Sequence, residues 1–456
     1  MGRVARIVFG AALLAMSASV GAAATAGTGA LLPVTVFYQL ASDDPGQAQA
    51  ALDRITGQWD DAYAPMLLEV LPFLRPGSVQ RGIAAQLETV SGRPYRDNFN
   101  SWYEWLWSIE PRVHPDYAVF KSAWYSQIDP RFSEYFDGHP KAIVRLDEVR
   151  WGGVHRDGIP PLRRPKMLSA REATYLADSD VVFGVDIGGD VRAYPKRILA
   201  WHEMFTDTIA GRELTGVYCT LCGSMILYDS TIDGVHHVLG TSGFLYRSNK
   251  LMYDAATKSL WSTLTGTPVV GSLVGKGIVL KPLYVVTTRW GEWRRRHPGT
   301  RVLSPDTGHV RDYSEGAAYR DYFATQRLMF NVPKVDPRLP NKAEVLAVRV
   351  AESSGQQLAI AADYLAAHPV YHDRVDTVAF VVLTDRSGAN RVYDAHDLAL
   401  ARFDGGETAR DRDGGVWKVS EAQLAGPRGQ TRARLPAHRA FWFGWVAAYP
   451  ETRLVK

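Results

Sequence analysis

The sequence predicts an α+β fold in which an N-terminal helical module precedes two tandem, internally duplicated β-rich halves. Three observations carry this prediction: helical segments broken by Gly and Pro turns, short apolar runs of β type after about Lys141, and a tryptophan pattern that occurs twice. At 456 residues the chain is too long for one ordinary core. The predicted divisions are a signal peptide at 1–26, a helical or helical-repeat module at 27–140, a first β-rich half at 141–305 and a second at 306–456.

The N-terminus has the pattern of a secretory signal peptide. Arg3 and Arg6 precede an apolar run at 7–20, and the small residues GAAATA follow it. This run is too short to cross a bilayer, and no later segment reaches the ~18 uninterrupted apolar residues of a transmembrane helix. We therefore expect a mature chain without a transmembrane segment, located in the periplasm or outside the cell; an uncleaved N-terminal anchor is the alternative.

The charge balance argues against nucleic-acid binding. The chain has 52 Lys and Arg against 48 Asp and Glu, a formal net charge of +4, and no long basic run. The expected partner is an unidentified small molecule or another protein.

The helical module is predicted from its caps and breaks. Asp60 and Asp61 begin an apolar helical segment, Pro76 and Gly77 end it, and a second amphipathic segment follows. The aromatic stretch NSWYEWLWSI at 100–109 has helical spacing, which favours a buried face in this module or at its contact with the next domain.

The two β-rich halves are predicted from landmarks that repeat in the same order. The pattern W-x-x-W-x4-P-x-T-R that begins at Trp290 recurs at Trp442, and the Tyr-Asp step at Tyr228 recurs at Tyr393. Such ordered self-similarity predicts descent from one repeated unit.

Cys219 and Cys222 are the only cysteines of the chain and form a Cys-x-x-Cys turn. The aligned segment of the second half, LTDRS at 383–387, has none. A feature needed only by the fold should occur in both copies. The cysteines therefore indicate a functional site on a shared scaffold.

The flanks of the turn are strand-like, GVY before it and SMILYD after it, and Gly223 follows the second cysteine. This context is typical of the hairpin knuckles that hold zinc, whereas a thioredoxin-type pair lies where a strand enters a helix. The leading hypothesis is therefore an exported, soluble metal-binding protein, which could be a metalloenzyme or a redox protein.

A knuckle supplies two ligands, so other groups must complete a tetrahedral site. His202, just upstream of the knuckle strand, is the preferred third ligand, and Glu203 beside it is the candidate catalytic group for proton transfer or for orienting a ligand. Zinc and copper are the expected cofactors, because thiolate and imidazole donors suit both. The alternative histidine ligands are His155, His236, His237 and His438.

The segment after the knuckle, at 242–262, is rich in hydrogen-bonding side chains. Such groups are costly to bury without partners, so they either bond within the core or line a polar pocket beside the ion. The candidate substrate-binding residues are Ser242, Tyr246, Asn249 and Asp254.

Two other functions are compatible with the same cysteines. In the first, the protein is a non-catalytic binding or assembly module whose cysteines form a disulfide, as cysteines readily do outside the cytoplasm. In the second, the pair performs thiol–disulfide exchange. This last hypothesis ranks behind the others because no helix start follows Cys222. The sequence leaves open whether the protein is an enzyme.

Several motifs occur in a fixed order: DGIPPL at 157–162, AYP at 193–195, WHE at 201–203, the cysteine turn with Gly223, and FWFGW at 441–445. With these motifs the sequence, over about 145–456, resembles a bacterial family known as domain of unknown function 3179. Thr220 departs from the pattern, since proline is usual there. The family supplies no established activity, so the resemblance implies that the motifs belong together without saying what they do.

Overall fold

Helices dominate the first part of the chain. The computed structural model describes residues 30–349 and 355–456, so the predicted signal peptide lies outside the described residues. The helices before the first strand are α1 (Thr35–Gln39), α2 (Pro45–Gly57), α3 (Ala64–Val70), α4 (Ser78–Ser91), α5 (Phe99–Ile109), α6 (Tyr117–Ser126) and α7 (Ser133–Phe136). Short 3₁₀ segments lie between these helices or before the first strand: Asp61–Tyr63, Leu71–Phe73, Pro130–Phe132 and Leu146–Glu148. None of the helices in the described ranges combines the length and the apolar character that a membrane span requires.

Local sequence explains where these helices begin and end. Asp44 caps α2 by accepting hydrogen bonds from the backbone N–H groups of Gly46 and Gln47. Pro45 occupies the first position of the helix, where its missing N–H has no helical partner to lose. Gly92 ends α4 in the left-handed conformation that glycine adopts at little cost.

The aromatic stretch that the sequence marks as buried lies on α5. Trp102 and Leu106 are fully buried, and Tyr103 and Trp107 are nearly so. They belong to one hydrophobic cluster that also contains Phe244 from the strand region. The helices and the first strands therefore share a core.

A buried ion pair ties α6 to α3 and to the first strand. Lys121 and Glu69 are both buried, and the Lys121 ammonium pairs with the Glu69 carboxylate. Glu69 also accepts a hydrogen bond of 2.8 Å from the Tyr117 hydroxyl, and Lys121 donates one of 2.7 Å to the carbonyl of Val149. Because buried charges persist only when they are paired and hydrogen-bonded, this network fixes how the helices sit on the strands.

Strands dominate the chain from Val149 onward. The first group of elements is β1 (Val149–Trp151), β2 (Leu162–Arg163), β3 (Met167–Ser169), β4 (Val181–Ile187), β5 (Asp190–Pro195), α8 (Lys196–His202), β6 (Met204–Ile209), β7 (Arg212–Cys219), β8 (Ser224–Asp229), β9 (Thr231–Ile232), β10 (Val235–His236), β11 (Leu239–Tyr246), β12 (Asn249–Asp254), β13 (Leu260–Ser262), β14 (Pro268–Val270), β15 (Lys281–Leu283), β16 (Val286–Arg289), α9 (Trp290–Arg296) and β17 (Arg301–Leu303). The second group is α10 (Arg320–Phe323), β18 (Glu344–Val348), β19 (Leu358–Ala361), α11 (Ala362–Ala367), β20 (Val370–Val375), β21 (Val378–Thr384), β22 (Asn390–Asp394), β23 (Leu400–Phe403), β24 (Thr408–Asp411), β25 (Val416–Val419), β26 (Gln423–Ala425), β27 (Thr431–Ala433), β28 (Ala437–Phe441), α12 (Trp442–Ala448) and β29 (Arg453–Val455).

These strands form several small sheets. In the first group the orders are β1-β11-β12-β13-β14, β15-β8-β7-β6-β2, β16-β4-β5-β17-β3 and β10-β9. In the second group they are β28-β18-β19-β29, β20-β21-β22 and β23-β24-β25-β26-β27. The chain is therefore a mixed helix and strand protein, in agreement with the broad fold class that the sequence predicts.

One sheet of each group has the same internal order. β4 is antiparallel to β5 and β16, and β17 is parallel to β5; likewise β18 is antiparallel to β19 and β28, and β29 is parallel to β19. The Trp293 indole N–H donates to the Thr300 hydroxyl at 3.0 Å, and that of Trp445 donates to Thr452 at 3.0 Å. The two tryptophan patterns therefore make the same contact in corresponding places.

Replacing Lys121 by alanine should destabilise the protein by about 3–5 kcal/mol, because the change leaves the Glu69 carboxylate buried without its counter-charge. Urea unfolding followed by tryptophan fluorescence would measure the free energy of unfolding. Arg75→Ala is the control: the Arg75–Asp43 pair is mostly exposed, with side-chain exposures of 82% and 55%, so its loss should cost less than about 0.5 kcal/mol. Equal losses in the two variants would contradict the role assigned to the buried pair.

Candidate dithiol site

The Cys-x-x-Cys turn connects two antiparallel strands. β7 ends at Cys219 and β8 begins at Ser224, and these two residues face each other in the register. The Cys222 N–H donates to the Cys219 carbonyl at 3.1 Å, and Gly223 takes a φ of 60° that closes the turn. The element that follows Cys222 is thus a strand, as the flanking sequence predicts.

The two sulfur atoms lie 2.9 Å apart and are shielded from solvent, with Cys219 2% exposed and Cys222 fully buried. Both cysteines are free thiols. The separation is longer than a disulfide bond of about 2.05 Å. It is shorter than the about 3.8 Å expected between two sulfurs on a tetrahedral zinc ion with bonds of about 2.3 Å. The two sulfurs are therefore within about 1 Å of the length of a disulfide bond.

Electrostatics make the two thiols unequal. Burial raises the pKa of the Cys219 thiol, but the adjacent Cys222 thiol and the nearby backbone N–H groups of Lys250 and Cys222 bring that pKa below its usual value. Burial and the adjacent Cys219 sulfur raise the pKa of Cys222 well above its usual range. Cys219 is therefore the more acidic thiol of the pair, and Cys222 is the less acidic one.

A buried ion pair lies beside the thiols. Lys250 Nζ is 2.9 Å from Glu203 Oε2, and the two residues are 5% and 6% exposed. The ammonium is close to the carboxylate but not aligned for a hydrogen bond, so the contact is an ion pair. The Glu203 charge acts on both sulfurs and raises the pKa of each cysteine. The charge of Glu203, the candidate proton-transfer residue from the sequence, therefore influences the pKa of both cysteines.

Backbone strain accompanies this contact. Glu203 ends α8 with a φ of 56°, and its carbonyl accepts the Tyr218 N–H at 2.7 Å. Tyr319 has a φ of 57°, and its hydroxyl lies 3.5 Å from Glu203 Oε1. Residues other than glycine pay about 1–3 kcal/mol for such conformations, which concentrate at functional sites. Two strained residues therefore meet next to the cysteines.

Two segments distant in sequence cover the turn. The Phe441 N–H, at the end of β28, donates to the Cys222 carbonyl at 2.7 Å. A Cβ atom on Gly444 in α12 would lie 3.0 Å from Cys222 Cβ, so the helix approaches this closely only with glycine there. The Tyr322 hydroxyl, in α10, donates to the Leu221 carbonyl at 2.7 Å. These contacts account for the burial of both sulfurs.

Three buried hydroxyls around the turn have no hydrogen-bond partner among the described residues: Thr220 Oγ1, Ser224 Oγ and Ser248 Oγ. The carbonyl of Ser248 lies 3.3 Å from the Cys222 sulfur. Unpaired polar groups are uncommon in protein interiors, and each calls for an explanation such as a catalytic or redox role. Their concentration here distinguishes the turn from an ordinary hairpin.

The predicted metal ligand His202 does not join the cysteines. It is fully buried, with Nδ1 2.9 Å from the Pro160 carbonyl and Nε2 2.5 Å from the Tyr313 hydroxyl. A carbonyl only accepts, so Nδ1 carries the proton and Nε2 accepts from Tyr313. Burial lowers the pKa of His202 to about 4, which keeps the ring neutral. Both nitrogens are thus occupied, and neither is free to bind an ion.

The predicted set of Cys219, Cys222 and His202 is therefore not assembled. Within residues 30–349 and 355–456, no group of three or more His, Cys, Asp or Glu side chains is arranged to hold a metal ion. The reason lies at the end of α8, where the left-handed Glu203 reverses the chain. As a result His202 contacts Pro160 and Tyr313, while its neighbour contacts Lys250.

The four predicted substrate-binding residues serve different roles. The Ser242 hydroxyl donates to a backbone carbonyl of the neighbouring strand at 2.6 Å, and Asp254 caps a turn and lies 2.8 Å from His237. Tyr246 packs against the helical core. Asn249 alone approaches the cover of the cysteine turn, since its amide donates to a backbone carbonyl of α12 at 3.1 Å.

A cavity of about 640 Å³ lies beside the site. Its lining residues are Val154, Gly158, Ile159, Ala200, Trp201, Arg311 and Tyr319. None of the four predicted substrate-binding residues is among them. Tyr319 also packs against the hydrophobic cluster that contains both cysteines, so this side chain connects the cavity with the thiols.

Sequence reasoning missed Lys250, Tyr319 and Gly444. Lys250 could have been noticed in the sequence, because a lysine in a largely apolar strand is buried only when an acid neutralises its charge. Tyr319 left no such signal, because its role depends on how distant segments pack on the turn. Gly444 lies within the FWFGW motif at 441–445, but the motif does not indicate that this glycine packs on Cys222.

Comparison with known proteins agrees with the motifs. Residues 156–452 match the family described as "Protein of unknown function (DUF3179)". No curated protein and no solved structure matches the chain. The matched range includes the cysteine hairpin, the Glu203–Lys250 pair and the covering helix α12. Because it spans more than half of the sequence, the chain belongs to the DUF3179 family.

Proposed function

We propose that Cys219 and Cys222 form a reversible dithiol–disulfide pair and that the protein is a thiol oxidoreductase. The separation of 2.9 Å between the sulfurs carries this proposal, since bond formation at about 2.05 Å requires less than about 1 Å of movement. Cys219, whose pKa is lowered, supplies the nucleophile as its thiolate. A metal site would need a third ligand, which His202 does not provide. The geometry therefore supports exchange better than it supports metal binding.

The reaction balances in protons and electrons. In the oxidising direction the Cys219 thiolate attacks one sulfur of an organic disulfide, so a mixed disulfide forms and a first thiolate leaves. Cys222 then loses its proton and attacks the Cys219 sulfur, which releases the second thiolate and forms the Cys219–Cys222 disulfide. Two electrons pass to the organic molecule, and the Cys222 proton passes to one of the leaving thiolates.

Glu203 is the residue we assign to that proton transfer. Its carboxylate is buried, acts electrostatically on both sulfurs, and has the Lys250 ammonium as its counter-charge. The Tyr319 hydroxyl, 3.5 Å from Glu203 Oε1, continues this path toward the cavity. A helix N-terminus is not required, because backbone N–H groups of Lys250 and Cys222 already stabilise the thiolate.

We further propose that the scaffold consists of two duplicated halves. The shared strand order and the equivalent Trp–Thr hydrogen bonds support this. If Tyr228 and Tyr393 are equivalent, the hairpin registers place Asp385, rather than Leu383, at the position of Cys219.

The second half then fills the corresponding place with an ion pair. Asp385 lies 2.7 Å from Arg391, and both side chains are fully buried. Each half also covers the hairpin of the other: Phe441 bonds to Cys222, and the Thr288 hydroxyl lies 3.1 Å from that of Ser387. In the second half, the Asp385–Arg391 ion pair would thus stabilise the hairpin at the position where the first half has its reactive thiols.

In glutathione redox buffers, the wild-type protein should show one reversible two-electron transition, detected by mass spectrometry as loss of two hydrogens from the peptide that contains Cys219 and Cys222. Cys222→Ser should accumulate a mixed disulfide at Cys219, whereas Cys219→Ser should not form one at Cys222. Metal analysis of the same samples tests the alternative. If the wild-type protein contained one zinc or copper per chain and Cys219→Ser lost it, the proposal would be overturned.

Glu203→Gln should move the pH profile of Cys219 alkylation to lower pH, because the carboxylate raises the pKa of that thiol. The thiolate is the form that reacts, so the rate rises with pH through the pKa, and the wild-type midpoint should lie below the usual value of about 8.5. Iodoacetamide labelling quantified by mass spectrometry measures the profile. Glu213→Gln, on the same β7 strand, is the control and should leave it unchanged. An unmoved or raised midpoint in Glu203→Gln would show that the charge does not act on Cys219.

Trp293→Phe and Trp445→Phe should destabilise the protein by similar amounts, about 1–3 kcal/mol each, because each leaves a buried threonine hydroxyl without its indole donor. Urea unfolding of the two variants measures both losses. A large loss in one and none in the other would argue against equivalent halves.

A further inference from the structure

We infer that the cavity beside Tyr319 binds the small molecule that exchanges electrons with Cys219, and that this molecule is an organic disulfide, or the thiol formed from it, with a flat apolar body and an anionic group. The inference rests on the proposed function and names the substrate class of that site. Three observations carry it: the burial of the thiols, the lining of the cavity and the position of Tyr319.

The burial of the thiols selects small molecules. Cys219 is 2% exposed and Cys222 is fully buried, so a disulfide on the surface of a folded protein cannot reach either sulfur. A substrate must therefore be small enough to pass the side chains that cover the thiols. The cavity of about 640 Å³ is within the size range of ordinary small-molecule sites.

The walls of the cavity favour a ligand with a flat apolar body. Val154, Ile159 and Ala200 contribute aliphatic surface. Trp201 donates its indole N–H to the Asp312 carbonyl at 2.7 Å, so what its ring offers to a ligand is aromatic surface. Aromatic rings stack favourably on such a surface.

The charge of the cavity selects an anion. Arg311 lines it, and its guanidinium donates to the neighbouring Val310 carbonyl at 2.8 Å. Among the described residues Arg311 forms no ion pair with an acid, and no Asp or Glu lines the cavity. An unpaired guanidinium binds carboxylates and related anions through charged hydrogen bonds.

Tyr319 links the cavity to the reacting sulfur. Its side chain lines the cavity, packs in the cluster that contains Cys219 and Cys222, and lies 3.5 Å from the Glu203 carboxylate. It is held at a φ of 57° before the four-residue helix α10. Movement of this one side chain opens the way from the cavity to Cys219, and the strained backbone lowers the cost of that movement.

Rates of reaction with three disulfides test the ligand class. The probes are 5,5′-dithiobis(2-nitrobenzoate), which is aromatic and anionic, 2,2′-dithiodipyridine, which is aromatic and neutral, and cystamine, which is cationic. For each probe, the wild-type rate is divided by the variant rate, so that differences in intrinsic reactivity between the probes cancel. Arg311→Gln should slow the anionic probe by about tenfold and change the neutral probe by less than about twofold. Arg81→Gln, an exposed change on α4, should alter neither. Equal effects of Arg311→Gln on all three probes would overturn the anionic assignment.

Filling the cavity tests the route. Val154→Trp should slow alkylation of Cys219 by iodoacetamide about tenfold or more, whereas Val416→Trp, at a site that is 42% exposed, should not. Tyr319→Ala should accelerate it by a similar factor. Equal rates in the two tryptophan variants would refute entry through the cavity. Alkylation requires no disulfide, so this result is independent of whether the pair is redox-active, and an unchanged urea-unfolding transition shows that each variant keeps its fold.

Discussion

The close contact between the Cys219 and Cys222 sulfurs is the constraint on which the site depends. A thiolate inside a protein loses the hydration that stabilises it in water, and only polar groups fixed in place can replace that hydration. For Cys219, the groups that lower the pKa are the Cys222 thiol and the backbone N–H groups of Cys222 and Lys250. Two of these belong to the turn, and the third belongs to β12. The hairpin and β12 must therefore pack against each other in a fixed position for Cys219 to be reactive.

Burial gives the site stability and selectivity together. The turn is covered by α12 with Phe441 on one side and by α10 with Tyr322 on the other. Tyr319, whose backbone has a φ of 57°, lines the adjoining cavity and also packs against the cluster that contains the thiols. Strain at a site is maintained by the surrounding packing, and it is useful where a group must move during the reaction.

Sequence alone predicted the mixed fold and the hairpin, because these depend on local patterns: alternating apolar residues and glycine after a turn. It did not predict the contacts of His202, because a left-handed residue at a helix end sends adjacent side chains in different directions. It failed for Tyr319 and Gly444 because contacts between distant segments are set by packing, which single-sequence patterns do not encode. The proposed equivalence of Cys219 with Asp385 likewise rests on the hairpin registers, since a bend of different length shifts a simple alignment.

The close approach of Gly444 to Cys222 has a consequence for biosynthesis. The cysteines leave the ribosome long before Phe441 and Gly444 are made, so a growing chain presents both sulfur atoms uncovered. Protection arrives only when the final helix docks onto the bend. The timing of that docking, and not the chemistry of the thiols alone, decides how long the nascent protein is open to unwanted oxidation.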